Sequence, residues 1–175
     1  MRKNLLKLHL NDLNKSKLIH LIIELANLRK ENLVYLEAKF AEPSELLEVT
    51  QYYKKIVQNE FYPMRGEPKM RLSIAKRAVS DFKKASQNKE AVLDLMIFYV
   101  ETGTKFTKDY GDINEAFYMS MESMYGKVVS LLNKSEDVRL IEYFRPRLRA
   151  IVKNAEGTGW GYYGNLSDFY DELIG

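Results

Sequence analysis

Lys89-Glu-Ala-Val-Leu-Asp-Leu-Met-Ile-Phe-Tyr-Val-Glu-Thr-Gly-Thr-Lys-Phe-Thr-Lys-Asp-Tyr110 is the stretch that decides the fold. Its middle, Leu95 to Val100, is an unbroken run of six apolar residues. A helix with no polar face is normally buried on all sides. This segment therefore predicts a central helix over 89–110, ended by Gly111. The other helices have to be its wrapping.

Outward from it, apolar residues recur at three- and four-residue spacing, the signature of amphipathic helices. Leu72, Ala75, Val79 and Phe82 make one stripe before the central helix. Phe117, Met121, Met124, Val128 and Leu131 make one after it, and Gly126 inside that stripe marks a close contact or a kink. Asp112-Ile-Asn-Glu115 resembles a capping box with Asp112 as N-cap. Nearer the N-terminus, Asn14 is placed to cap a helix striped by Leu18, Leu21, Ile22, Leu25 and Leu28. A short helix over 33–40 follows, then one capped by Ser44 and ending near Pro63. Near the other end, Ser135 begins a short helix to Phe144, and Pro146 breaks the chain before another to Ala155.

No segment alternates like a strand, and the loops are short, so consecutive helices pack antiparallel. The expected fold is all-α: one irregular multi-helix bundle of antiparallel hairpins over 1–175, with seven to nine helices. Residues 1–40 form an N-terminal helical hairpin on the main bundle. Residues 156–175 form a glycine- and aromatic-rich loop plus a short helix from about Ser167. The expected core includes Leu25, Ile56, Val79, Phe82, Met96, Val100, Phe117, Met121 and Leu131.

Composition narrows the function. The chain of 175 residues is long enough to bury its own core. It has no cysteine, so disulfides, thiolate metal sites and cysteine nucleophiles are excluded. The net charge of +3 demands no anionic partner. The longest apolar run is far short of the ~20 residues that span a membrane. Lys7 and His9 interrupt the apolar opening, which does not read as a signal peptide. The expectation is a cytoplasmic protein that binds no membrane.

Several segments, Ala75–Lys83, Asp94–Asp112, Phe117–Met124, Arg145–Leu148 and Gly159–Gly161, together resemble a family of uncharacterised bacterial proteins known only as a domain of unknown function. The resemblance covers nearly the whole chain, most loosely over the first 40 residues. It implies an all-helical bacterial protein and transfers neither an activity nor functional residues.

The chemistry-bearing residues each have a plain reading. Gly159-Trp-Gly-Tyr-Tyr-Gly164 matches the dinucleotide pattern literally, but it follows a helix and no βαβ unit surrounds it. A turn that presents Trp160, Tyr162 and Tyr163 to a partner fits better, since such aromatics favour interfaces. Residues 65–89 hold eight basic and two acidic side chains. Lys76, Arg77, Lys83 and Lys84 share one sector of their helix and form a strip that could contact phosphates. Residues 90–122, with seven acidic and two basic side chains, could neutralise it. A second basic cluster is Arg139, Arg145, Arg147, Arg149 and Lys153.

His9 and His20 lack metal-ligand spacing, and His20 with Glu24 one turn on reads as an ordinary polar face. No metal and no cofactor are expected. Glu101, Asp109, Asp112 and Glu115 are the first suspects for acid–base chemistry if a pocket exists beside them. Met119, Met121 and Met124 cluster on one helix; Met121 and Met124 lie on its apolar stripe and read as core packing, with a methionine-rich partner groove as the sharper alternative. The leading expectation is a non-catalytic helical interaction module that takes a protein or peptide in a groove between helices. Nucleic-acid association through 65–89 comes second, and an enzyme with a carboxylate site near Glu101–Glu115 third.

Overall fold

The computed structural model describes residues 3–173. Among them the chain forms nine α-helices and no strand: α1 (Lys3–Asn11), α2 (Lys15–Leu28), α3 (Lys30–Phe40), α4 (Pro43–Phe61), α5 (Leu72–Ala85), α6 (Lys89–Tyr110), α7 (Glu115–Ser135), α8 (Val138–Asn154) and α9 (Tyr162–Asp171). The all-α expectation holds, and α6 has the predicted bounds. It lies at the centre, packed against α4, α5, α7 and α8. Leu95, Ile97, Tyr99 and Val100 are wholly buried, as a helix without a polar face requires. One continuous apolar core runs from Val34 in α3 to Leu173 beyond α9.

Past its apolar middle, α6 turns to small polar residues, and Thr102, Thr104 and Thr107 are buried with it. Buried hydroxyls need partners. Thr102 donates to the Phe98 carbonyl at 2.7 Å, and tyrosines supply the partners of the other two. Tyr99 pairs with Ser120 at 2.8 Å, Thr104 with Tyr162 at 2.7 Å, and Thr107 with Tyr118 at 2.5 Å. No described buried side-chain polar atom lacks a partner. Two glycines let helices close in. A Cβ on Gly103 would fall 2.3 Å from the Met121 sulfur, and one on Gly126 would fall 2.9 Å from the Phe169 ring. The predicted close contact at Gly126 is therefore present, between α7 and α9.

Some boundaries differ from expectation. Glu42, not Ser44, is the N-cap of α4, in a reciprocal capping box with Glu45, and Pro43 takes the first helical position. Asn114, not Asp112, caps α7 by accepting the Phe117 N–H at 3.0 Å. Pro146 does not break α8, which is capped by Asp137 rather than Ser135 and runs through. Pro146 faces solvent, so water can satisfy the carbonyl that loses its amide partner. The last helix starts at Tyr162, five residues earlier than expected, because Gly161 enters the left-handed region at φ 70° and serves as its N-cap. Of the expected core, Val79, Phe82, Met96, Val100, Phe117 and Met121 are buried, while Ile56 and Leu131 are only partly so. Leu25 is not core at all, being 48% exposed.

Candidate functional site

The failure of Leu25 to bury belongs to a larger anomaly. In α2, Lys-Ser-Lys-Leu-Ile-His-Leu-Ile-Ile-Glu-Leu-Ala-Asn-Leu, the only carboxylate is Glu24 and the only ammonium groups are Lys15 and Lys17 at the start. Such a helix calls for apolar neighbours on most sides. Among them, however, only α3 packs closely on it, and Ala26 is its only buried residue. Ile19, Ile22, Ile23, Leu25 and Leu28 are each about half exposed or more. In α1, which buries nothing, Leu5, Leu6 and Leu8 are exposed in the same way. Eight large apolar side chains on these two helices are therefore about half open, and exposed apolar surface on this scale marks an interaction site.

The arm is anchored through α3. Val34 and Ala38 bury their side chains in the main core as α3 packs on α4 and α5. Asn32 Nδ2 donates to the Leu25 carbonyl at 2.8 Å and ties the end of α2 to α3. Between α3 and α4 lies a groove of about 410 Å³. Leu33, Val34, Val49 and Tyr52 give it an apolar lining, while Glu37, Glu45 and Glu48 outnumber its one cation, Lys30. Phe40 at its edge is 75% exposed.

On α5 the strip is present. Lys76, Arg77, Lys83 and Lys84 are all exposed on one helix whose opposite face buries Ala75, Ala78, Val79 and Phe82. No described ion pair joins the strip to residues 90–122, and its one pair is Lys84 with Asp81 on its own helix, 3.6 Å apart. Lys83 also stands with Lys89 and Lys134 around a cavity of about 250 Å³ floored by Val92, Leu93, Leu131 and Leu140. Not all of the basic segment is free. Arg71 holds buried Glu60 through two guanidinium bonds, at 2.8 and 3.0 Å, and its backbone N–H at 3.1 Å. Burial pushes the Glu60 carboxyl up, but these bonds outweigh it and leave the group below the usual carboxylate range.

The second basic cluster is divided. Arg147 points inward, donating to Glu101 at 2.8 and 2.7 Å and to Asp94 at 2.6 Å, and Lys54 also holds Asp94 at 2.6 Å. Burial acts against the charge on Arg147, but these bonds raise its pKa overall. Glu101, a suspect for acid–base work, is thus half of a bidentate ion pair that ties α6 to α8. Asp109 takes a 2.5 Å bond from Lys105 and a 2.8 Å bond from the Tyr62 hydroxyl, which lower its pKa. Both carboxylates line a cavity of about 450 Å³ between α6 and α8, which Asp112 and Glu115 do not reach. Asp112 accepts from the Tyr118 hydroxyl and, at 3.3 Å, from the Gly159 amide. No group of His, Asp or Glu side chains able to hold a metal occurs among the described residues.

The aromatic turn splits. Trp160, 55% exposed, sits at φ 61°, a strained value for a residue with a side chain. Tyr163 is 43% exposed. Tyr162, expected to face a partner, is instead fully buried, with its hydroxyl on Thr104 and its ring 5.0 Å from that of Tyr118. Starting α9 at Tyr162 turns that ring toward α6 and leaves its neighbours outside.

Sequence reasoning singled out the α5 strip and Trp160, which are exposed, and did not single out the arm. The α2 stripe looked like core. The available signal was the narrowness of the polar face over 18–28, where His20, Glu24 and Asn27 share one side and eight apolar residues spread over the rest. No described helix is long and apolar enough to cross a membrane. A model of a protein family of unknown function, DUF6155, matches residues 1–173. No curated protein and no solved structure is similar enough to match.

Proposed function

Because the chain belongs to DUF6155, a family of unknown function, we propose from its surfaces that it is a non-catalytic protein-interaction module whose working face is the α1–α2 arm. One observation carries this reading: a helix apolar on most sides, α2, has only one close helix neighbour. Burying such a face on another polypeptide is favourable at ~25 cal/mol per Å² of apolar surface. The carboxylates near α6 support the same choice, because Glu101 and Asp109 are already engaged by cations. A bacterial source and a cytoplasmic location belong to the same proposal.

The test is capture from the native host's lysate, using the full chain and its Leu5→Glu/Leu8→Glu variant as baits, with and without nuclease. The expected result is a discrete protein, a native copy included, that survives nuclease and is lost with the variant. The same captured set on both baits would refute the reading. A second reading, nucleic-acid association, is favoured by the unneutralised strip on α5. It expects material lost on nuclease treatment, affinity that falls steeply with salt, and loss of binding when Lys76, Arg77, Lys83 and Lys84 become Glu.

A further inference from the structure

We infer that the partner of the arm is a second copy of this chain, and that α1 of each protomer lies in the α3–α4 groove of the other. The inference rests on the reading that the arm is the working face and specifies what covers it. Two observations select this occupant. The first is charge complementarity. The groove has an apolar lining and three glutamates against one lysine. The arm brings the matching features: exposed Lys3 and Lys7 one turn apart on α1 with Leu6 next to them around the helix, Leu5 and Leu8 exposed on its other side, Lys15 and Lys17 following, and only Asp12 opposing them over residues 3–17. Glu37 and Glu48 make no ion pair among the described residues, and neither do Lys3 and Lys7.

The second observation is uncovered apolar surface. Leu5, Leu6 and Leu8 of α1, the helix that enters the groove, are 48, 42 and 62% exposed and need a cover. The groove adds Phe40 to what a partner would cover. A reciprocal exchange buries arm and groove twice around one two-fold axis, the commonest arrangement of homo-oligomers. At ~1.5 Å per residue, α1 is about 13 Å long, so it seats in one groove without reaching further. An anionic membrane would match the lysines but offers no cation to the glutamates of the groove, which a second copy does.

The experiment is sedimentation equilibrium and light scattering on the full chain from 1 to 100 µM. The wild type is expected at twice the 20.5 kDa chain mass. Lys3→Glu/Lys7→Glu and Glu37→Lys/Glu48→Lys should each weaken the dimer at least tenfold with unchanged helical circular dichroism. The chain carrying all four reversals should recover the wild-type dimer. A wild type that is monomeric at 100 µM overturns the inference, as does a dimer that ignores both pairs of reversals. Binding of the wild type to anionic vesicles with no dimer in solution overturns it in favour of a membrane. A monomer whose lysate capture still depends on Leu5 and Leu8 refutes the second copy alone. A monomer whose capture ignores them refutes the working face as well.

Discussion

Replacing Arg147 by Met tests whether the Glu101 cluster is structural. The guanidinium makes three short bonds, two to Glu101 and one to Asp94, and its side chain is 31% exposed. A hydrogen bond to a charged group contributes ~1.5–3 kcal/mol, and breaking a fully buried ion pair costs ~3–5 kcal/mol. Two features reduce the cost here. Solvent screens a pair that is one third open, and Lys54 still holds Asp94 after the change. Methionine also keeps part of the packing of the stem. The expected loss is about 2–3 kcal/mol. Urea unfolding followed by circular dichroism reads it directly. With a slope of ~2 kcal/mol per molar, the midpoint falls by about 1–1.5 M. Adding Glu101→Gln should return about 1 kcal/mol, because the orphaned charge goes with it. A midpoint shift below about 0.2 M for Arg147→Met would refute the reasoning. Glu101 would then be an uncommitted carboxylate beside a cavity, and the enzyme reading would regain its best residue.

Four further outcomes follow. Because the folded-state pKa of Glu60 is depressed by Arg71, its contribution is present above the unfolded value of ~4.3 and is lost as pH falls through the folded value. Acid titration of stability should therefore be shallower in Glu60→Gln than in wild type between pH 5 and 3, and equal slopes would show that the clamp contributes nothing. Burial pushes the Tyr99 hydroxyl up to about 12. Its contribution is lost as pH rises between ~10 and that value, and Tyr99→Phe should flatten this alkaline loss in denaturant titrations. Trp160→Gly should leave the melting temperature within about 2 °C, since relief of the left-handed strain offsets the lost contacts. Tyr162→Phe should lower it by about 2–6 °C, at ~1–2 kcal/mol for stranding the Thr104 hydroxyl.

What was legible follows from how local each cause is. The bounds of α6 could be read because an apolar run with no polar face and a following glycine are both local signals. Its polar second half was harder: Thr104 and Thr107 look like surface residues until tyrosines from α9 and α7 reach them. Pro146 misled because a proline's cost depends on whether the freed carbonyl meets solvent, which is a tertiary property. Ser44 and Asp112 are good cap residues in isolation, but Glu42 and Asn114 stand where the chain enters each helix. Leu25 shows the deepest gap. A heptad-like stripe states that a face must be covered and not which molecule covers it. The strip on α5 was legible as charge, whereas the fate of Arg71 and Arg147 depended on carboxylates 11 and 46 residues away in the chain.

The central place of α6 also bears on how the chain is made. A ribosome releases the chain from the N-terminus at ~5–20 residues per second. When α6 emerges, α4 and α5 are already available to it, but α8 ends 44 residues after Tyr110. For roughly 2–9 s, then, the longest unbroken apolar run of the protein stands with one side bare. Nascent chains halted between residues 110 and 154 should be the ones that chaperones hold, and release should coincide with the arrival of Arg147 opposite Glu101.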